Sequence, residues 1–262
     1  QCDWSSDVCS SDLSTYYDKA HPDHGVFKEV YVVFNEPKPY LQYIFEKRGR
    51  EDAFTSCPAF LDYFKNTYVI TSPFDFTVDY TKNKLTFISS NENVQRFLKI
   101  CSNDRAYEQP KDSLPVISMS PNYIIYSDTS VMMEVSQLHF TPVDCNFHYI
   151  PGVFDIGKWI RPIDFTFEIK DPSKPIVFKK GDPLFIIKFT TKDKSKVELI
   201  RVEEDEDTIN LVKSAIRVKN LSPKQTLDTL YKMFSQLLNL FIRKKTSEKQ
   251  TSKCPFSSMF RK

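Results

Sequence analysis

Glycine is scarce in this sequence, with five in 262 residues. So few glycines exclude a glycine-rich phosphate-binding loop and flexible glycine linkers. The motifs GxSxG, HExxH and GxGxxG and the Walker loop are also missing. We therefore predict no catalytic residue, no metal ligand, no cofactor-binding residue and no cofactor. This favours a protein without enzymatic activity but leaves the question open.

Long apolar runs and paired cysteines are missing too. No run approaches the roughly 20 residues of a membrane-spanning helix, so we predict no membrane partner. Four of the six cysteines lie outside residues 1–13, which are set aside below, and these four, Cys57, Cys101, Cys145 and Cys254, form no CxxC pair. Cysteines this far apart are typical of a reducing compartment, and we expect an intracellular protein.

Charge of either sign is also not in large excess, with 36 Lys and Arg against 34 Asp and Glu. Seven Lys or Arg against one Glu give residues 243–262 a charge of +6, and three Asp give residues 1–13 a charge of −3. The rest of the chain therefore carries −1. A neutral body and a short basic end, which is usually solvated, argue against a nucleic-acid partner.

The first thirteen residues, QCDWSSDVCSSDL, carry no hydrophobic period. Asp3 to Leu13 match one reading frame of a common short-read sequencing adapter. Foreign segments of this kind are set aside before a fold is considered. We expect residues 1–13 to be adapter-derived and the natural N-terminus to be missing.

Aromatic residues are what the sequence has in plenty, with 22 Phe and 13 Tyr. Aromatic and β-branched residues favour strands, and apolar residues that alternate with polar ones indicate a half-buried strand. We predict strands over ten short runs: 30–34, 41–45, 67–71, 74–78, 84–88, 123–126, 131–135, 164–169, 183–189 and 196–202. Their spacing predicts a mainly β (α+β) fold with an antiparallel, sandwich- or barrel-like body.

Helical signals are fewer. Residues 57–66 predict a short helix, residues 91–100 a helix or helical loop, and residues 103–115 a loop. Ile209, Val212 and Ile216 predict a helix over 209–218.

The strongest helical signal begins at Ser222, where Pro223 and Gln225 complete a capping box. It predicts an amphipathic helix from Pro223 to about Lys245. The apolar stripe of this helix is Leu227, Leu230, Tyr231, Phe234, Leu237, Leu238 and Phe241. We expect the stripe to pack on the chain's own body and leave a face for self-association. The predicted organisation is an adapter-derived segment (1–13), a β-rich domain (14–202), a C-terminal helical segment (203–246) and a basic tail (247–262).

Two short spacings resemble pairs of metal ligands. His21 and His24 form one pair, and Cys145 and His148 form the other, with His139 and Asp155 nearby in sequence. Zinc needs three or four ligands, and neither group has a second close pair. We therefore interpret them as surface or hydrogen-bonded residues.

Five carboxylates lie among the aromatic runs: Asp62, Asp75, Asp155, Asp164 and Glu168. A buried carboxylate with a raised pKa can act as a general base. The simpler interpretation, which we favour, is that these are strand-edge or turn residues.

Two stretches, residues 57–78 and 150–193, resemble a family without an assigned activity found in tailed phages of marine waters. In that family a Cys-Pro-x-Phe helix leads into a Tyr strand, and a Lys-Gly-x-Pro turn precedes a final strand. Cys57, Pro58 and Phe60 match the first pattern here, and residues 180–183 match the second. The resemblance implies a phage protein in the host cytoplasm or in the virion. A metagenomic origin would agree with the adapter.

A more distant resemblance concerns architecture. GVFDIGKW (152–159) and KKGDPL (179–184) resemble the strands of dUTPase-like β-clip proteins. The matching residues are Gly152, Val153, Asp155, Lys180, Gly181 and Asp182. The resemblance implies a β-clip-like body.

This chain departs from the β-clip pattern at three places. Trp159 lies one residue after the expected tyrosine, Pro183 replaces the expected arginine, and residues 134–139 lack the Arg-Ser-Gly phosphate-binding turn. These departures weaken the expectation of hydrolase activity.

Two functions remain open. The favoured one is a viral protein with a non-enzymatic interaction or assembly role, forming a homo-oligomer or binding a protein partner through its C-terminal helix. The alternative is a nucleotide-binding or nucleotide-hydrolysing protein on a dUTPase-like fold.

Overall fold

A computed structural model of the chain describes nine ranges: 36–48, 54–81, 84–101, 114–119, 123–127, 129–139, 145–199, 210–215 and 225–234. The adapter-like segment, His21 and His24, the predicted strand 30–34 and the basic tail lie outside these ranges. Most of the predicted loop 103–115 also lies outside them.

Short strands make up most of the described structure. They are β1 (Lys38–Pro39), β2 (Thr67–Thr71), β3 (Phe76–Asp79), β4 (Thr86–Ile88), β5 (Val116–Met119), β6 (Met132–Ser136), β7 (Phe147–Tyr149), β8 (Gly152–Asp155), β9 (Phe165–Ile169), β10 (Ile176–Phe178) and β11 (Pro183–Thr190). The helices are α1 (Tyr40–Arg48), α2 (Pro58–Tyr63) and α3 (Glu92–Cys101), together with helical residues 210–215 and 227–234.

The strands form three antiparallel sheets. Sheet A has the order β1-β2-β11-β6-β8, sheet B the order β10-β3-β4 and sheet C the order β5-β9-β7. Every pair of neighbouring strands is antiparallel, and none of the described sheets closes on itself. The predicted mainly β, antiparallel α+β class is confirmed, and its body is made of open sheets.

One aromatic core joins the three sheets. Phe178 of sheet B lies 4.6 Å from Phe76 and 5.5 Å from Phe147 of sheet C, measured between ring centroids. Phe165 of sheet C stacks on Phe185 of sheet A at 5.6 Å. Because each aromatic ring removes a large apolar area from water, this cluster accounts for much of the burial that stabilises the fold.

Strand β9 alternates apolar and polar residues, whereas β11 has a continuous apolar run, and the burial of each strand explains the difference. In β9, Phe165, Phe167 and Ile169 are buried while Thr166 and Glu168 are half-buried, as the alternation predicts. In β11, residues 184–187 are all buried because both faces of the strand are covered. Continuous apolar sequence is typical of a strand with two covered faces.

The predicted strand over 41–45 is wrong, because these residues belong to helix α1. Tyr40 and Ile44, four residues apart, pack with Phe64, Val69 and Ile186 on the outer face of sheet A. A short apolar run cannot be assigned to helix or strand from its periodicity alone. Residues 41–45 are helical in the structure, and their helix packs across the outer face of sheet A.

Other strand boundaries also differ. Residues 123–126 make only an isolated bridge between Ile124 and Pro162, and the described residues 196–199 form no strand. The sequence did not predict strands β5, β7 and β10. Each has three or four residues, too few to show a period.

The helical residues near the C-terminus pack on the body. Ala215, Leu230 and Phe234 are buried in the main core together with the sheet residues. Leu230 and Phe234 of the predicted stripe thus pack on their own chain, whereas Leu227 is 42% exposed. Ile209, Ile216, Leu237, Leu238 and Phe241 lie outside the described residues.

Candidate functional site

Asp155, at the end of β8, is the most buried of the carboxylates singled out from the sequence, at 1% exposure. Its Oδ2 accepts a hydrogen bond from Ser130 Oγ at 2.6 Å and lies 3.1 Å from Lys158 Nζ. Its Oδ1 accepts the Gly157 N–H at 3.0 Å. With Tyr231, described next, these residues form the Asp155 cluster (Ser130, Asp155, Gly157, Lys158, Tyr231).

Tyr231 joins the C-terminal helical residues to this cluster. Its hydroxyl accepts the backbone N–H of Asp155 at 2.7 Å, across 76 residues of sequence. The Lys158 ammonium lies 5.5 Å from the centroid of the Tyr231 ring, a cation–π contact. The lysine therefore contacts both the carboxylate and the aromatic ring.

The Asp155 carboxyl is ionised at neutral pH. Burial alone would raise its pKa, but hydrogen bonds from Ser130, Lys158 and the Gly157 N–H together outweigh burial and lower the pKa. A carboxylate with a lowered pKa and donors on both oxygens is a weak proton acceptor. The hydrogen bonds of the cluster stabilise the turn that follows β8.

Gly157 allows the turn after β8 to pass close to the preceding chain. A Cβ atom at this position would come within 2.0 Å of the Thr129 carbonyl oxygen. Backbone atoms cannot move aside cheaply, so only glycine fits. The close packing against Thr129 thus explains why residue 157 is a glycine.

Trp159 follows in the same segment and is almost fully buried, at 3% exposure. Its ring packs on Phe154 with centroids 5.8 Å apart, and the Arg161 guanidinium lies 5.1 Å from the ring centroid. The indole Nε1 has no hydrogen-bond partner among the described residues. Trp159 therefore contributes to the core.

The second β-clip-like stretch forms a tight turn into β11. Gly181 has a φ of +85°, a conformation that glycine adopts at little cost. The carboxylate of Asp182 accepts the Lys179 N–H at 2.8 Å, and the carboxylate of Asp75 accepts the Lys180 N–H at 2.7 Å. Both carboxylates hold backbone N–H groups, as the turn interpretation predicts.

The structure does not bring the two β-clip-like stretches together. In the register of sheet A, Asp155 lies opposite Met132 of β6, and Met132 lies opposite Thr190 at the end of β11. Asp182 directly precedes β11. Eight residues of strand separate the two levels, which is about 26 Å at 3.3 Å per residue. The two stretches stabilise opposite ends of sheet A.

The remaining candidates are dispersed. Asp62 is exposed on α2, Asp164 is paired with Arg161, and Glu168 lies opposite His148 across β9 and β7. The rings of His139 and of Tyr63 in α2 lie 5.9 Å apart, whereas His148 belongs to β7 of sheet C and Cys145 precedes that strand. No group of three metal-ligating side chains occurs in the part of the chain that the structure describes.

A surface that we did not predict lies on the outer face of sheet A, beside the C-terminal end of α2. Its members, which we call the outer patch, are Tyr63, Met132, Glu134, Val153 and Lys188. Tyr63, Val153 and Met132 are 52%, 50% and 37% exposed. In the strand register, Lys188 of β11 lies opposite Glu134 of β6, and Glu134 lies opposite Val153 of β8.

The outer patch is ordered by a cation–π contact. The ammonium of Lys188 lies 3.9 Å from the centroid of the Tyr63 ring, which fixes the aromatic side chain over the sheet. The sequence predicted a strand over residues 131–135, but not which of its faces is uncovered. That depends on where the helices lie.

Comparisons with known proteins give no family. No protein-family model matches the chain, and no curated protein matches it. Among the described helices, none is long and apolar enough to cross a lipid bilayer.

Proposed function

We propose that this chain is a tailed-phage protein that acts through interaction or assembly rather than catalysis, in the host cytoplasm or in the virion. The observation that carries the proposal is the outer patch. The resemblance of residues 57–78 and 150–193 to a phage family supports the viral origin.

The composition of the outer patch favours protein binding. Tyrosine and methionine are enriched at the centres of protein interfaces, and contiguous exposed apolar residues commonly mark binding surfaces. In the outer patch, Tyr63, Met132 and Val153 surround one pair of opposite charges, Lys188 and Glu134. Because one surface carries both charges, a second copy related by a twofold axis can pair each charge with its opposite. We therefore take a second copy as the first partner.

The C-terminal helix supplies a further apolar area for the same role. Leu227 and Met233 remain exposed on the helical residues 227–234, while Leu230 and Phe234 are buried. The helix contributes its exposed side chains to assembly without leaving the body of its own chain.

The alternative, a nucleotide-binding or nucleotide-hydrolysing protein on a dUTPase-like fold, has less support. Phosphate groups need positioned donors or metal ions around them. Asp155 and Asp182 accept hydrogen bonds within their own turns, and Asp75 accepts the Lys180 N–H of the turn before β11. The stretches that contain Asp155 and Asp182 lie at opposite ends of sheet A.

Light scattering on the full chain tests the assembly proposal. We expect a mass above the 30.6 kDa of one chain that rises with concentration. A double variant, Tyr63→Ser with Met132→Asp, should return the mass to that of one chain. Val177→Asp is the matched control, because Val177 is 60% exposed on sheet B, outside the outer patch.

Two results contradict the proposal. One is a wild-type chain that keeps the mass of one chain at every concentration measured. The other is a double variant that associates as strongly as the Val177→Asp control.

A further inference from the structure

Strand β8 lies at the edge of sheet A, and its backbone groups alternate in direction. The N–H of Ile156, which follows β8, donates to Val131 on the β6 side at 3.0 Å. Since successive residues of a strand direct their backbone groups to opposite sides, Val153 and Asp155 direct theirs away from β6. The outward edge of β8 is therefore formed by these two residues.

Asp155 has both of its outward groups in use. Its carbonyl oxygen accepts the N–H groups of Lys158 at 3.1 Å and Trp159 at 3.0 Å. Its N–H donates to the hydroxyl of Tyr231 at 2.7 Å. Val153, in contrast, directs its N–H and its C=O to a side where no described strand lies.

Tyr231 is held at this edge from two sides. Its helical neighbours Leu230 and Phe234 are buried in the core, and the Lys158 ammonium lies over its ring. The hydroxyl thus accepts the hydrogen bond that a sixth strand would otherwise accept. Side chains that block exposed strand edges are a known protection against unwanted strand pairing.

We propose that the outward edge of β8 is a docking edge for β8 of a second copy, and that Tyr231 limits this pairing by occupying the Asp155 N–H. The inference rests on the proposed assembly function and names the element through which copies pair. It assigns to Tyr231 a role in controlling association.

Hydrogen-bond complementarity supports a second copy as the occupant. In an antiparallel pair centred on Val153, the two valines exchange two N–H···O=C bonds across the twofold axis. Asp155 then lies opposite Pro151 of the second copy, whose carbonyl can accept the Asp155 N–H. Proline has no N–H to leave unsatisfied, and the Asp155 carbonyl is already occupied.

The side chains agree with this pairing. Val153 is half-exposed beside Glu134 on the outer face, and a built Cβ at Gly152 meets no atom within 4 Å. A second β8 would place Val153 against Val153 and extend the outer patch across the twofold axis. The edge and the outer patch are therefore continuous.

The experiment compares Tyr231→Phe with Tyr68→Phe by analytical ultracentrifugation of the full chain. Tyr231→Phe removes the hydroxyl that occupies the Asp155 N–H, and we expect the dimer dissociation constant to fall about tenfold or more. Tyr68→Phe is the control, because it also removes a hydroxyl-to-backbone bond, to Val197 at 3.0 Å, but from an interior strand.

The same measurement is made on Val153→Pro, alone and combined with Tyr231→Phe. Proline removes the outward N–H at the edge without breaking a bond to β6. We expect it to weaken dimerisation of the wild type and to cancel the effect of Tyr231→Phe. Should Tyr231→Phe fail to fold, hydrogen exchange of the wild type decides, since the Val153 amide should become more protected as concentration rises.

The outcomes separate this inference from the proposed function. If copies associate but Val153→Pro has no effect, the edge pairing is wrong and the assembly function stands. If the wild type is monomeric and Tyr231→Phe dimerises, the edge is assigned and self-assembly of the wild type is wrong. Folded Tyr231→Phe that associates no more than Tyr68→Phe overturns the role of Tyr231.

Discussion

The two faces of sheet A differ in how they are covered. On the inner face, Phe185, Ile187 and Phe189 of β11 are almost completely buried against the aromatic core. On the outer face, Val69 and Ile186 lie under α1, whereas Met132 and Val153 are exposed. The same strands thus stabilise the fold with one face and leave part of the other face exposed.

The difference has an energetic meaning. Removing a buried aromatic ring leaves a cavity that the surroundings fill only partly, whereas a change at an exposed position removes few contacts. We therefore expect stability to depend on the inner face and association on the outer face. The following predictions test this division, from the largest expected effect to the smallest.

Phe185→Ala should lower the free energy of unfolding by about 3–5 kcal/mol, because the ring packs on Phe165 and Tyr149 at the centre of the core. Chemical denaturation monitored by circular dichroism measures this loss. A loss below about 1 kcal/mol, as found at surface positions, would mean that the inner face is not the main source of stability.

Gly157→Ala should cost about 1–3 kcal/mol, because its Cβ would meet the Thr129 carbonyl oxygen. Gly152→Ala is the matched control, since it has open space around the same atom. Thermal unfolding of the two variants should therefore separate them clearly. Equal midpoints would show that the chain at Thr129 does not approach the turn this closely.

Asp155→Asn should reduce stability at neutral pH and flatten its dependence on acid. The lowered pKa means that the charged form stabilises the fold above the ordinary value of 3.8, and that this contribution is lost as the pH falls below it. Unfolding curves between neutral pH and the acid range measure the effect. An Asn variant with the same acid profile as the wild type would show that Asp155 is not responsible.

Glu134→Gln, on the outer face, should change the free energy of unfolding by less than about 0.5 kcal/mol. The same variant should weaken self-association, because it removes the negative charge of the outer patch, which lies opposite Lys188 in the strand register. Denaturation and light scattering on one sample test both parts. A large loss of stability would contradict the division between the faces.

No release of pyrophosphate is expected from dUTP in the presence of magnesium. Asp155 and Asp182 accept hydrogen bonds within their own turns, at opposite ends of sheet A, and Asp75 accepts the Lys180 N–H of the turn before β11. A pyrophosphate assay on the wild type, with buffer alone as the control, measures this. Release well above that background would favour the nucleotide alternative.

The sequence by itself determined what depends on neighbours along the chain. The alternation of Phe165, Phe167 and Ile169 predicted the buried face of β9, and the residues before Pro183 predicted a turn. Part of the apolar stripe, Leu230 and Phe234, is buried as its spacing predicts. Local periods and turn chemistry act over a few residues, so they can be found from sequence.

Only the tertiary structure decided what depends on distant residues. Residues 41–45 belong to a helix whose buried side chains pack on Val69 of β2 and Ile186 of β11. Tyr231 contacts Asp155, which lies 76 residues away in the sequence. The order β2-β11-β6-β8 joins strands far apart in sequence, and it leaves the outer patch uncovered at one edge. The candidate surface stayed hidden in the sequence, because a strand's pattern distinguishes its two faces but does not say what packs against each of them.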